Sequence, residues 1–283
     1  MLMIVLFIVQ GVAYVTLCER HLLGGSQQRV GPNKVSWFGL VQPIFDGVKL
    51  MKKEQLMTIN SSNFSFIVIP GITFTVMYLE WFVLPYFFDF FTFQFSILFF
   101  LCLMGFSVYS FLLSGAVSKS KYGMLGAVRA SGQSVSYEIA FSLYIFCVVM
   151  YFSMFSFVGG FSLGLVFIFM PFFFMMLAEL NGAPFDFSEG ESELVSGYNV
   201  EYGSVSYALL YIGEYGSLLF FSVLMSVVFF GFSLIIFLMI FCVLIFVRSS
   251  FPRFRYDLMM GFFWFKLLPV SLFFLLSFIL MMI

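Results

Sequence analysis

The chain has 283 residues, of which 62% are hydrophobic and only 10% charged. A soluble domain carries about 25% charged residues, so lipid must be the solvent for much of this surface. Thirteen basic and 14 acidic side chains leave a net charge of −1, and that balance makes no electrostatic case for a nucleic-acid partner.

A membrane-crossing helix needs about 20 mostly apolar residues. The first candidate run is 1–17. A cleaved signal peptide is the alternative there, but a basic leader and a convincing cleavage site are missing, so a first span is expected. The loop 18–63 follows, and it is not plain linker. From Trp37, apolar residues recur at Leu40, Val41, Ile44, Phe45, Val48 and Met51. That is helical spacing with one apolar face, predicting an amphipathic helix over 36–54 in the membrane interface, bent by Pro43. A simple anchor and the lip of an opening for a lipid-soluble substrate both fit it. Further runs lie at 64–86, 93–115, 135–157 and 163–181, with a third loop at 116–134. After an acidic fifth loop, 180–206, come runs at 207–228 and 231–248, divided at Gly231 and Ser233. A seventh loop, 248–262, precedes the last run, 263–283. The expected fold is all-α, one polytopic transmembrane helix bundle of about eight spans plus the amphipathic interfacial helix.

The basic residues test that count. Six lie between the first two runs: Arg20, Arg29, Lys34, Lys49, Lys52 and Lys53. Lys119, Lys121 and Arg129 lie between the third and fourth, and Arg248, Arg253, Arg255 and Lys266 follow the seventh. The alternate loops hold none. The positive-inside rule puts the odd-numbered loops on the cytoplasmic or matrix side.

The acidic residues behave differently. Loop five holds Asp186, Glu189, Glu191, Glu193 and Glu201 without one Lys or Arg. Such carboxylates repel each other, so basic groups from other loops must pair with them or some must hold protons. Glu138, Glu179 and Glu214 lie in or beside apolar runs. A charge at the membrane centre costs about 2.5–3.5 kcal/mol on insertion scales, so these are candidate proton carriers facing the bundle interior. Glu80 sits beside Trp81 near a helix end and reads as interfacial. Tyr137 and Tyr215 flank two of the glutamates without an assigned role.

Redox cofactors find no ligands in the pattern. Cys18, Cys102, Cys147 and Cys242 are widely spaced, and no C-x-x-C occurs. The single His21 excludes a haem held by paired histidines within the chain. The 46 Phe suit a lipid-facing surface, and a bias toward T-rich codons would produce the same excess.

Four stretches carry a resemblance: E-R-H-L-L-G-G-S-Q-Q-R-V-G-P-N from Glu19, G-A-V-R-A-S-G-Q-S-V-S-Y-E from Gly126, A-E-L-N-G-A-P-F-D-F-S-E-G-E-S-E-L-V-S-G-Y-N-V-E-Y from Ala178 and F-P-R-F-R-Y-D from Phe251. Together they resemble the mitochondrially encoded subunit 1 family of NADH:ubiquinone oxidoreductase, respiratory complex I. Their order and spacing agree along almost the whole chain, and the third stretch is the most specific. The resemblance implies a multi-pass protein of the mitochondrial inner membrane with its odd-numbered loops in the matrix. It implies a quinone chamber at the basic face, to which Arg20, Gln27, Arg29, Asp46, Arg248, Arg253 and Arg255 contribute. It implies a proton path through Glu138, Glu179, Asp186, Glu189, Glu191, Glu193, Glu201 and Glu214, with Arg129 as counter-charge. The implied substrate is a ubiquinone, with the iron–sulfur cluster and flavin in partner subunits and no cofactor held here. Implied partners are the peripheral-arm subunits at the basic face, other membrane-arm subunits and a lipid such as cardiolipin. The sequence departs from the family pattern at Val30, where a Lys is common, at Gly213, where Ala is usual, and over Ser118 to Lys121. Two other readings compete: the membrane subunit of a proton-translocating hydrogenase, and a secondary transporter using the carboxylates as its ion site. No clear internal repeat supports the transporter.

Overall fold

The computed structural model describes residues 2–55, 63–86, 94–157, 159–161, 163–187 and 197–282. Among these residues every regular element is helical. In chain order they are α1 (Leu2–Ser26), α2 (Gln42–Lys52), α3 (Asn63–Glu80), α4 (Ser96–Ser118), α5 (Lys121–Phe152), α6 (Leu163–Glu179), α7 (Ser204–Phe230) and α8 (Leu234–Ser250). Then α9 (Tyr256–Phe262) passes through a π-helical turn (Phe263–Leu267) into α10 (Leu268–Met282). Each apolar run of the sequence forms a helix. Six stretches are long and apolar enough to cross a membrane, while α6 and α8 are shorter apolar helices. At 17 residues each, these two reach about 25 Å against a hydrocarbon core of about 30 Å. The chain is a polytopic helical membrane protein.

Three boundaries of the membrane helices differ clearly from the sequence expectation. α1 continues to Ser26 rather than ending near residue 17, so Arg20 and His21 are helical. Its charged end finds partners on other helices, which removes the penalty that hydropathy alone assigns to it. α5 begins at Lys121, not at 135, and carries Arg129 on the helix instead of in a loop. Ser120 caps it by accepting from the Gly123 amide at 3.1 Å. The Gly, Ala and Ser residues that lower hydropathy here make a close seam with α4. A Cβ added at Gly115 of α4 would stand 2.2 Å from the Ala127 Cβ. α9 begins at Tyr256, ahead of the predicted residue 263.

The interfacial helix is also shorter than the apolar repeat. Trp37–Gly39 form a separate 3₁₀ turn, and α2 starts at Gln42. Pro43 occupies the first helical turn, where its missing N–H leaves no hydrogen bond unmade, so it starts the helix and does not bend it. Gly39 closes the turn at φ +70°, and a Cβ there would meet the Pro32 carbonyl oxygen at 2.4 Å. The apolar stripe of Ile44, Phe45, Val48 and Met51 faces outward.

α7 is the hub of the bundle. It packs against α1, α2, α3, α6 and α8, while α5 joins α4, α6 and α10. The main core lies between α4, α5, α6 and α7, where Phe100, Phe141, Phe172, Phe220 and Phe221 are buried.

Candidate functional site

The site forms where α6 ends. Gln133 of α5 is fully buried and donates to the carbonyls of Ala178 at 2.9 Å and Phe185 at 3.2 Å. One side chain thereby braces both the last turn of α6 and the loop beyond it. Glu179 and Asp186 are held at the two ends of that braced segment. The Phe254 amide donates to Pro184 at 3.0 Å, which ties the loop before α9 to the same segment.

Two small cavities meet there. The first, about 60 Å³, is lined by Glu80, Glu179 and Glu214 together with Thr73, Ser107, Ser110, Asn181 and Tyr198. The second, about 40 Å³, is lined by Asp186, Glu214, Tyr215 and Arg248. Leu180, Asn181 and Glu214 belong to the walls of both. Each has room for a few waters, not for a quinone ring. Three buried oxygens, Glu80 Oε2, Glu179 Oε2 and Asn181 Oδ1, have no hydrogen-bond partner among the described residues. Buried polar atoms of this kind are ordinarily satisfied, and water in the cavity is the chemistry that would satisfy them.

Tyrosines connect the carboxyls. The Tyr198 hydroxyl donates to Glu214 Oε1. Tyr137, fully enclosed, stands beside the Glu179 carboxyl. Glu138 follows it on α5 and reaches α4 at Gly105, where an added Cβ would stand 3.0 Å from Glu138 Oε1. Gly105 therefore leaves the space that Glu138 occupies.

Cations stand at the other end of this string. Arg253 pairs with Asp186 at 3.0 Å, and the Asp186 side chain is only 10% exposed. Arg248 pairs with Glu19 at 3.5 Å and lies over the Tyr215 ring, 5.7 Å from its centroid. Arg20 pairs with Asp46 at 3.1 Å, joining α1 to α2. Acidic loop residues thus do find basic partners from elsewhere in the chain, as Asp186 shows.

The sequence-derived residues separate into groups. Glu179, Asp186, Glu214 and Arg248 line the cavities, and Glu138 is a neighbour of Glu179. Arg248 is on α8, not in the loop after it. Arg20 and Asp46 form a separate pair. Gln27 and Arg29 are exposed beyond α1, and Arg255 forms an exposed pair with Asp257. Glu201 and Arg129 are half-buried, on the turn before α7 and on α5. Glu189, Glu191 and Glu193 lie outside the described residues. Glu80 is a correction: it is 4% exposed and faces the first cavity, so it is no interfacial residue. Its neighbour Trp81 misled the reading, because α3 packs that end against α7 and α4. Sequence reasoning also left Glu19, Gln133 and Tyr198 without roles. All three sit inside the motif stretches, and that position was the available signal.

Among the described residues no group of three or more His, Cys, Asp or Glu is placed to hold a metal ion. The four cysteines are free. Carboxyls, tyrosine hydroxyls and arginines are groups that can hold protons and charge.

Comparison with known proteins places this geometry in a family. A family model described as NADH dehydrogenase matches residues 1–279. The chain is similar to NADH-ubiquinone oxidoreductase chain 1 of Aedes aegypti, at 40% identity over 98% of this chain and 93% of the relative. It is similar to the protein of that name from Metridium senile, at 41% identity over 96% and 89%. For Heterololigo bleekeri the values are 42%, 91% and 88%. A match of this extent covers every helix that builds the cavities, and the chain belongs to the NADH dehydrogenase family.

Proposed function

We propose that this chain is the core membrane subunit of proton-pumping NADH:ubiquinone oxidoreductase that borders the quinone and couples its reduction to proton translocation. It sits in the mitochondrial inner membrane with its odd-numbered loops in the matrix. Arg20, Gln27, Arg29, Asp46, Arg248, Arg253 and Arg255 belong to the chamber face. Peripheral-arm subunits dock there and supply electrons from an iron–sulfur cluster, with a flavin further upstream. Other membrane-arm subunits and a lipid such as cardiolipin complete the surroundings.

The observation that carries the reading is the shared wall of the two cavities. Glu214, Leu180 and Asn181 separate a compartment touching Arg248 and Asp186 from one touching Glu179 and Glu80. A charge change at the arginine face is felt first by the Asp186–Arg253 pair. In a site largely closed to bulk water, such a change is weakly screened. Reduction of a quinone to its quinol draws protons toward the headgroup. Asp186, Glu214, Glu179 and Glu138 then form a succession through which a proton deficit moves inward. Tyr198 holds the carboxyl of Glu214 in place, and Tyr137 stands beside that of Glu179. Arg129, together with Glu189, Glu191, Glu193 and Glu201, supplies the remaining charges of the path.

The test is Glu179→Gln and Glu138→Gln in the assembled complex, reading inhibitor-sensitive NADH:quinone turnover and proton translocation. Both quantities are expected to fall in each variant. Normal turnover and pumping would remove that residue from the path.

A further inference from the structure

We propose that Glu80 is an additional proton-carrying group of this chain, exchanging a proton with Glu179 through water in the cavity that both carboxyls face. The inference rests on the proton path through Glu179 proposed above and extends it to α3.

Placement carries the argument. Glu80 is 4% exposed, and its Oε2 has no hydrogen-bond partner among the described residues. The cavity of about 60 Å³ touches Glu80, Glu179 and Glu214. No Lys, Arg or His occurs among the described residues of its wall. Glu80 and Glu179 face each other across this wall, and two negative charges so close, without a cation among its described residues, are too costly to coexist. Protons must therefore occupy part of this set. Glu214 accepts from Tyr198, and Tyr137 stands beside Glu179. Glu80 lines the same wall as Glu179 and Asn181, and Glu80 Oε2, Glu179 Oε2 and Asn181 Oδ1 have no hydrogen-bond partner among the described residues. A water needs two to four polar partners, and a wall of carboxyls, an amide and hydroxyls is of the chemistry that supplies them.

The step balances simply. An O–H bond on one carboxyl breaks, the proton passes through cavity water, and an O–H bond forms on the other carboxyl. No electron moves. The hydroxyls of Ser107 and Ser110 already donate within α4, to Met104 and Ser107, and they remain able to accept from water.

The experiment uses the assembled complex in coupled inner-membrane vesicles. It compares Glu80→Gln and Glu179→Gln with the parent. Protons translocated per NADH oxidised are measured, and complex content is normalised by NADH:ferricyanide activity. Redox-induced infrared difference spectra record the deuterium-sensitive carboxylic-acid bands. Glu80→Gln is expected to abolish one such band and lower the proton yield several-fold. An unchanged band pattern and yield in Glu80→Gln, with Glu179→Gln impaired, overturns the role of Glu80 and leaves the path. Parent-like behaviour of both variants overturns the path as well. Should glutamine at this position prevent assembly, Glu80→Asp keeps a carboxyl in a shifted place. Its spectrum must then show a moved band, and an unmoved spectrum overturns the proposal.

Discussion

Two neighbourhoods of one bundle differ in what fills them. Around Phe100 the core is dry: the ring is fully buried, with the centroids of Phe141, Phe157, Phe220 and Phe221 at 6.0, 5.7, 5.7 and 6.3 Å. Further along the same α4, Ser107 and Ser110 line a cavity. α7 repeats the change, from Phe220 and Phe221 to Gly213, Glu214 and Ser217. The serines of this region bond back to their own helix, Ser217 to the Glu214 carbonyl at 2.7 Å. They are satisfied locally and withhold volume, so space for water remains. Phe fills the bundle around Phe100, and small residues leave it open where the carboxyls meet.

That contrast predicts a crossed outcome. Damage in the dry region lowers stability and spares the proton yield of whatever assembles. Changes in the wet region lower the yield. The largest effect is expected for Phe100→Ala, about 3–5 kcal/mol of destabilisation from the lost packing and the hole left behind. Reduced complex content and a lower thermal midpoint, with normal protons per NADH in the remainder, are the expected readings. A lowered yield per assembled complex would erase the distinction. Ser110→Leu is the reverse experiment, since Ser110 is 2% exposed and lines the cavity. Overpacking there costs about 1–3 kcal/mol, and the filled space excludes water. Coupled turnover should fall more than stability does. If pumping survives the filled cavity, water in it is not the carrier.

Tyr198→Phe tests the link between the compartments. It removes the donor to Glu214 and leaves a part-buried acceptor short of a partner, at about 1–2 kcal/mol. A loss of proton yield with little change in assembly is expected, and parent-like pumping would make Tyr198 a structural residue. The smallest effect belongs to Tyr86, outside the spans, whose hydroxyl donates to the Trp81 carbonyl at 2.8 Å. Burial, helped by Tyr78, pushes this phenol up to about 12. The folded protein thus favours the neutral form over the unfolded chain, whose tyrosines ionise near about 10. The resulting stability is complete below about pH 10 and is lost as pH rises through about 12. Tyr86→Phe should remove this alkaline loss and about 1 kcal/mol at neutral pH. Identical thermal midpoints across that pH range in both proteins would rule out the contribution.

Much of the fold was legible because hydropathy is a local sum. The apolar runs announced the helices, and Gly231 was correctly placed at the division between α7 and α8, where it takes φ +67°. The errors have one cause. Arg20, Arg129 and Tyr256 were assigned to loops because their segments are polar, yet each lies on a helix. Polarity was mistaken for irregular backbone, when partners on neighbouring elements supply what lipid cannot. Glu80 is the same error in the other direction. A carboxyl next to a Trp reads as a headgroup contact until the rotation of α3 points it inward.

The amino-acid order by itself determined the solvent, the helical class and the family, because twenty apolar residues and long motif matches leave few alternatives. Only the tertiary structure decided which carboxyls meet. Glu80, Glu179 and Glu214 stand on three helices far apart in the chain, and helix rotation and close packing at glycine and serine bring them to one cavity. No one-dimensional pattern records that rotation, because it is set by how all the helices pack together.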